Sequence, residues 1–99
     1  MPDRTPLSDA DIQAGLAGLA GWHYDAEAHR IVCDYQFGTF RDAVAWIVRA
    51  AFEADAMDHH PELTNVYDRV TVALATHDAG DRVTATDLAL AQRLSALGA

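Results

Sequence analysis

In the stretch RIVCDYQF, residues 30–37, every second side chain is apolar, and polar side chains occupy three of the four positions between them. Because neighbouring side chains in a strand point to opposite faces, this alternation predicts a β-strand with one face buried and the other in water. A sheet built from such strands needs a covering layer on its apolar side, and the rest of the chain must supply it as helices. The apolar members of the alternation are Ile31, Cys33, Tyr35 and Phe37.

Three further strands are predicted around this one. GWHYD (21–25) is a short strand candidate before it, with a turn around 26–29 in between. LTNVY (63–67) and RVTVALATH (69–77) are rich in β-branched residues and are joined by a tight turn at Asp68-Arg69. The four segments therefore form two hairpins, which favours an antiparallel sheet.

Helix signals lie before, between and after the two hairpins. Ser8 with Asp11 resembles a capping box, and apolar residues follow at helical spacing until Gly21. Thr84 with Asp87 is a second capping box at the start of the last helix. The predicted order is α-β-β-α-β-β-α, an α+β fold with a four-stranded antiparallel sheet and helices packed on one face.

The middle helix is the longest, and Thr39 is its predicted N-cap. Trp46 and Phe52 lie on the flanks of its apolar face, which predicts a surface covered by a second subunit. The apolar face itself is predicted to contain Phe40, Val44, Ile47, Ala51 and Ala54.

Composition restricts the function classes. The 99 residues fit one domain, residues 1–99, with a single modest core. A formal charge of −8 repels phosphate backbones and argues against nucleic-acid binding. No apolar run approaches the roughly 18–20 residues that a membrane span requires, and the polar start of the chain does not resemble a signal peptide. The single cysteine, Cys33, has no partner for an internal disulfide, which favours a cytoplasmic location.

Three histidines are expected to meet at one corner of the fold. His59 and His60 come where the long helix has ended and the third strand has not begun, and Pro61 disfavours helical geometry at the residue before it. His77 is predicted to end the fourth strand. Hairpin pairing brings the start of the third strand beside the end of the fourth, so His77 should lie near the pair.

Such a cluster admits several chemistries. One imidazole as acid and one as base suit the elimination of water from a substrate. Three histidines also suit zinc, but the HH-x16-H spacing lacks the i, i+4 arrangement of helical metal sites and no further ligand stands out. The remaining alternative is that these histidines are structural or solvent-exposed, and this is the interpretation that we give to His23 and His29.

The run HHPELTNVYDRVTVALATHDAG (59–80), followed by T-x-x-D-x-x-LA (84–91), resembles the signature of the pterin-4a-carbinolamine dehydratases. The similarity starts at Gly21-Trp22 and continues through YQFGTFRDAVAWI to the final helix. The resemblance implies an α+β fold, a homodimer or homotetramer, and an active site without metal or cofactor. It also implies a reaction, dehydration of the 4a-hydroxytetrahydropterin that aromatic amino acid hydroxylases release, giving quinonoid dihydropterin in tetrahydrobiopterin recycling.

The resemblance also implies roles for individual residues. His59 and His77 match the histidines that transfer protons, and His60 with Pro61 matches the part of the site that holds the pterin. Asp87 matches an aspartate that we expect to orient His77. Trp22 matches an early tryptophan at the pocket, with a core position as the equal alternative.

Two positions depart from the pattern of the family. Many members have glutamate, often followed by lysine, four residues before the first histidine, where this chain has Asp55-Ala56. Asp55 keeps a carboxylate on a shorter arm, and we expect it at the substrate-binding site. The loop 78–86 is one residue longer than usual.

Two other functions compete with the dehydratase. A non-catalytic dimerisation or assembly module could use the same fold, although the presence of all three histidines favours catalysis. A small metal-binding protein ranks last.

Overall fold

The computed structural model describes residues 5–98, and the element order is the predicted α-β-β-α-β-β-α. The four strands form one antiparallel sheet in the order β1-β2-β4-β3, so β4 lies between β2 and β3. A short 3-10 turn, His77–Ala79, follows the last strand. The elements are α1 (Asp9–Leu16), β1 (Trp22–Asp25), β2 (Arg30–Gln36), α2 (Phe40–Ala56), β3 (Glu62–Val66), β4 (Arg69–Leu74) and α3 (Ala85–Ala96).

The two central strands bury one face each. Cys33 of β2 pairs with Val72 of β4, and both side chains belong to the core that the helices cover. The opposite face of the same strands carries polar groups, and Thr71 donates a hydrogen bond to Asp34 there at 2.7 Å. The predicted alternation is therefore confirmed, and the sheet has a helix-covered face and an open face.

Side chains cap all three helices as predicted. The Ser8 hydroxyl accepts from the backbone N–H of Asp11 at 3.1 Å, and Thr39 caps α2 in the same way. Thr84 and Asp87 form a full capping box at the start of α3. These contacts satisfy backbone N–H groups that have no partner inside the helix.

The buried face of α2 differs from the predicted one. Trp46 is fully buried against the rings of Tyr35 and Phe37, at centroid distances of 4.6 and 5.7 Å, so its predicted position at a subunit contact is wrong. Alanines on either side of Trp46 let the helix approach the sheet closely, and the large indole then fills the remaining space. The buried residues of α2 are Ala43, Trp46, Ala50 and Ala54.

Phe40 and Val44, two residues of the predicted inner face, are exposed instead. They belong to a stripe at four-residue spacing along the outer side of α2. Phe52 is 73% exposed at the end of this stripe, as its predicted flank position requires. The outer stripe consists of Phe40, Val44, Val48 and Phe52.

Several boundaries differ from those predicted. The first helix ends at Leu16 and does not continue to Gly21. The hairpin turn is at Tyr67-Asp68, one residue earlier than expected, and Tyr67 has a φ of 53°. The last strand ends at Leu74, so His77 lies in the 3-10 turn beyond it. Within residues 5–98, no helix is long and apolar enough to cross a membrane.

Candidate active site

The end of α2 determines where the histidine pair points. Asp58 has a φ of 50°, and its N–H donates to the carbonyl of Asp55 at 3.0 Å. The next N–H, that of His59, donates to the carbonyl of Ala54, also at 3.0 Å. These two bonds form a Schellman motif with an aspartate in the left-handed position that glycine usually fills. The chain therefore reverses sharply, and His59 turns back toward the core.

His59 is buried at 5% exposure, and its Nε2 lies 2.5 Å from Oδ1 of Asp87. The Asp87 side chain is completely buried at the first turn of α3. Because an ionised carboxylate only accepts hydrogen bonds, Nε2 of His59 is the donor and carries the proton. The other ring nitrogen, Nδ1, is then the one that can exchange a proton with a substrate.

The second oxygen of Asp87 is held by two further donors. Oδ2 accepts from the hydroxyl of Thr76 and from the backbone N–H of Thr84, each at 2.8 Å. The two threonine hydroxyls are themselves 2.7 Å apart. This buried network fixes the orientation of the carboxylate, and through it the orientation of the His59 ring.

The predicted contact between Asp87 and His77 is wrong. His77 is 91% exposed, and its Nδ1 lies 3.1 Å from Oδ1 of Asp81. The cause is the geometry after β4. Thr76 forms an isolated bridge with Arg82, which returns the chain to α3 and brings Thr76, rather than His77, to the carboxylate.

The three histidines do converge, although only one is buried. His59, His60 and His77 line a common cleft of about 280 Å³. His60 is largely exposed, with its Nε2 3.4 Å from Oδ1 of Asp55. The pair thus combines one ring anchored in the core with one at the surface, both reaching the same cleft.

A larger cleft of about 510 Å³ adjoins the first one, since His60, Ala75 and His77 line both. It extends over the open face of the sheet, and its remaining lining residues are Ala28, Arg30, Pro61, Glu62, Ala73 and Asp81.

Pro61 and Trp22 were both predicted to bind substrate, but only one of them lies at a cleft. Pro61 lines the larger cleft, where the prediction put it. Trp22 does not line either cleft; it is buried in the core, and its Nε1 donates to the hydroxyl of Ser95 at 2.9 Å. The structure therefore favours the core alternative for Trp22.

Arg30 and Glu62 lie at the rim of the larger cleft and were not among the predicted site residues. The sequence does mark both positions. Arg30 is a charged residue that begins the predicted strand 30–37, and Glu62 is a charged residue directly before the predicted strand 63–67. Only the strand order β2-β4-β3 shows that they meet on the open face.

The described part of the chain contains no group of three or more His, Cys, Asp or Glu side chains placed to hold a metal ion. What the arrangement offers chemically is proton transfer, with one imidazole oriented by a buried carboxylate and a second, exposed imidazole at the same cleft.

Comparison with known proteins assigns the chain to a family. The family model for pterin 4 alpha carbinolamine dehydratase matches residues 5–97. A protein of Opitutus terrae, provisionally named as a pterin-4-alpha-carbinolamine dehydratase, is 57% identical over 89 residues, which cover 90% of each chain. A protein of Solibacter usitatus with the same provisional name is 44% identical over 96 residues, covering 96% of this chain and 97% of its own.

Two solved structures share the fold. The transcriptional coactivator/pterin dehydratase of Brucella melitensis superimposes with a TM-score of 0.89 at 33% identity, covering 96% of this chain and all of that one. A pterin dehydratase-like protein identified as a RuBisCO assembly factor of the alpha-carboxysome gives a TM-score of 0.66 at 18% identity, over 78% of this chain and 88% of its own. The second likeness concerns the fold alone, and the fold by itself does not separate an enzyme from an assembly factor. Together, the matched length and the identities show that the chain belongs to the pterin 4 alpha carbinolamine dehydratase family.

Proposed function

We propose that this protein dehydrates a pterin-4a-carbinolamine to quinonoid dihydropterin by histidine acid–base catalysis. The observation that carries the proposal is His59, a buried imidazole whose Nε2 is held by Asp87 while the ring lines a cleft shared with two other histidines. An assembly module has no need of a buried, charge-oriented imidazole at a solvent-accessible cleft, whereas an acid–base enzyme does.

The elimination requires two proton transfers. The N5–H proton of the carbinolamine passes to Nδ1 of His59, and the electron pair of that bond forms the C4a=N5 double bond. The 4a-hydroxyl leaves as water after it takes a proton from His77. Asp87 stabilises the positive charge that His59 acquires, and it does not itself leave its hydrogen bonds to Thr76 and Thr84.

His60 and Asp55 supply a different function in this scheme. His60 is exposed and lines both clefts, so it can hold the substrate without being oriented for proton transfer. Asp55 lines neither cleft and acts on the substrate only through His60, whose Nε2 lies 3.4 Å from its Oδ1. Pro61 forms part of the wall beside them. The proposal therefore assigns catalysis to His59 and His77, and substrate binding to the other residues.

The exposed stripe on α2 supports a homodimer or homotetramer. Its four apolar residues recur every four positions, so they form one continuous face along the helix. Contiguous apolar surface of this kind marks a site of protein association.

In a cell, this reaction would convert the pterin that an aromatic amino acid hydroxylase releases to the quinonoid form, from which a separate two-electron reduction restores tetrahydrobiopterin. The reduced thiol of the buried Cys33 is in keeping with a cytoplasmic setting for that cycle.

The direct test is to generate the 4a-carbinolamine in situ with an aromatic amino acid hydroxylase and to follow quinonoid dihydropterin by its absorbance. The protein should accelerate dehydration, and His59→Ala or His77→Ala should lower kcat by about a hundred- to ten-thousand-fold. His60→Ala should mainly raise KM.

The double variant His59→Ala/His77→Ala removes both proton carriers and should react at the uncatalysed rate. His23→Ala is the matched control, since this histidine is exposed on β1 and does not line either cleft. A folded double variant with the wild-type rate would contradict the proposed mechanism, and wild-type protein without any acceleration would contradict the proposed function.

A further inference from the structure

The larger cleft has an ion pair at its rim that the proton-transfer scheme does not use. Nη1 of Arg30 lies 2.9 Å from Oε2 of Glu62, and both side chains are partly exposed, at 40% and 67%. Both residues line the cleft. An exposed ion pair of this type contributes little to stability, so exchanging one partner for a ligand costs the fold little.

The register of the sheet explains how the two side chains meet. Glu62 of β3 pairs with Ala73 of β4, and Ala73 in turn pairs with Val32 of β2. Arg30 is two residues before Val32, so alternation places it on the same open face. Arg30 and Glu62 therefore reach toward each other across β4, and the small side chain of Ala73 between the two strands does not obstruct their contact.

The guanidinium of Arg30 has unused hydrogen-bonding capacity. Its Nε is buried and has no hydrogen-bond partner among the described residues. A buried donor without an acceptor is unfavourable, and arginine offers five N–H donors in a planar fork. Its burial closes Nε to a ligand, but the Nη atoms of the same fork carry N–H donors beyond the one that Nη1 gives to Glu62, and a carbonyl oxygen in the cleft can accept from those.

The surroundings suit a flat heterocycle. Ala73 and Ala75 form a floor of small side chains on the open face, and Pro61 forms a wall beside it. The cleft continues directly into the smaller one, because His60 and His77 line both. A planar ligand lying on the alanine floor would therefore have one edge at the Arg30–Glu62 pair and its body beside the histidines.

We propose that Glu62 and Arg30 together recognise the 2-amino-4-oxo edge of the pterin, an inference that rests on the proposed function. That edge presents two donors, the 2-amino group and N3–H, beside one acceptor, the 4-oxo oxygen. The Glu62 carboxylate accepts from the two donors, and the Arg30 guanidinium donates to the oxygen. The substrate class is accordingly a heterocycle with a donor–donor–acceptor edge, and the pair discriminates against one with a 2-oxo group.

Two stable ligands test this assignment, pterin (2-amino-4-oxo) and lumazine (2,4-dioxo), titrated by calorimetry against the full-length protein. Wild-type protein should bind pterin about ten- to a hundred-fold more tightly, the usual effect of losing a hydrogen bond to a charged group. Glu62→Gln replaces one acceptor oxygen by a donor, and it should reduce or reverse this preference. Arg30→Gln should weaken both ligands by a similar factor, because both keep the 4-oxo group.

The Arg93–Glu53 ion pair supplies the matched control. It joins α3 to α2 at 3.4 Å, and neither residue lines the clefts. Glu53→Gln and Arg93→Gln should leave the ratio of the two affinities unchanged. Circular dichroism of every variant verifies the fold.

The outcomes separate the two levels of the proposal. If wild-type protein dehydrates the carbinolamine but Glu62→Gln keeps the wild-type preference for pterin, the edge assignment is overturned and the proposed function stands. If wild-type protein binds neither ligand and does not dehydrate the carbinolamine, both are overturned.

Discussion

Replacing Asp87 by asparagine should change which nitrogen of His59 carries the proton. The carboxylate accepts from Nε2 of His59 with one oxygen and from Thr76 and Thr84 with the other. Asparagine has a single acceptor oxygen, and the two donors on the threonine side require it. Its NH₂ group then faces Nε2 of His59, which must become an acceptor, so the ring proton moves to Nδ1.

The proton at Nδ1 blocks the base that the mechanism requires. Because the lone pair on the cleft side is lost, kcat should fall by about a hundred- to ten-thousand-fold. Asp87 is fully buried and does not line either cleft, so KM should change little. Losing one charge-assisted buried hydrogen bond should lower the free energy of unfolding by about 1–3 kcal/mol. That leaves a domain with the usual stability of about 5–15 kcal/mol folded.

The assay is steady-state dehydration of the carbinolamine, together with urea denaturation of each variant. Asp42→Asn is the matched control, because Asp42 occupies the same third position of α2 beneath its own threonine cap. Thr84→Val separates structure from catalysis. It removes the hydroxyl that caps α3 and contacts Thr76, but the backbone N–H of Thr84 still donates to Oδ2 of Asp87, and the carboxylate stays on His59. It should lower stability with little effect on kcat. A folded Asp87→Asn protein with wild-type kcat would refute a role for this carboxylate in orienting His59.

Three other outcomes follow from burial and exposure. Trp46→Ala empties a fully buried site and should lower the free energy of unfolding by about 3–5 kcal/mol, measured in urea; a cost below 1 kcal/mol would contradict its place in the core. Cys33 is 2% exposed, and burial raises the pKa of its thiol, so a thiol reagent should label the native protein at least about a thousand-fold more slowly than the unfolded chain. Val48→Glu/Phe52→Glu places charge on the exposed stripe and should lower the mass found by light scattering; an unchanged oligomer would exclude this face as the contact.

The sheet and the helix caps could be predicted because their signals are local. Alternation in RIVCDYQF reports burial of one face directly, and the structure buries Ile31 and Cys33 accordingly. The caps at Ser8, Thr39 and Thr84 each depend on contacts within one turn of the chain. Such features require no knowledge of what packs against them.

The inner face of α2 could not be predicted in the same way. Apolar residues surround most of this helix, so periodicity alone does not show which stripe faces the sheet. The structure selects the stripe with Ala43, Ala50 and Ala54, because small residues permit close approach while Trp46 fills the gap. The predicted stripe was rotated from this one by about one residue, or 100°. Side-chain size, rather than hydrophobicity, decided the outcome.

The partner of Asp87 was mispredicted for a related reason. The sequence places His77 next to Thr76, and nothing local shows which of the two faces the core. The Thr76–Arg82 bridge settles this, since the N–H of Thr76 donates to the carbonyl of Arg82 at 2.8 Å and its hydroxyl turns inward to Asp87. His77 is then turned outward to the cleft.

One carboxylate serves both the fold and the candidate site. Oδ2 of Asp87 closes the capping box of α3, and Oδ1 holds His59, which the Schellman motif at the end of α2 turns toward it. Two helix ends that are distant in sequence therefore fix the imidazole, and neither depends on the loop between Thr76 and Arg82. The Thr76–Arg82 bridge closes this loop at its base. A change in the length of the loop should therefore leave His59 in place, while His77, which lies within the loop, should move with it.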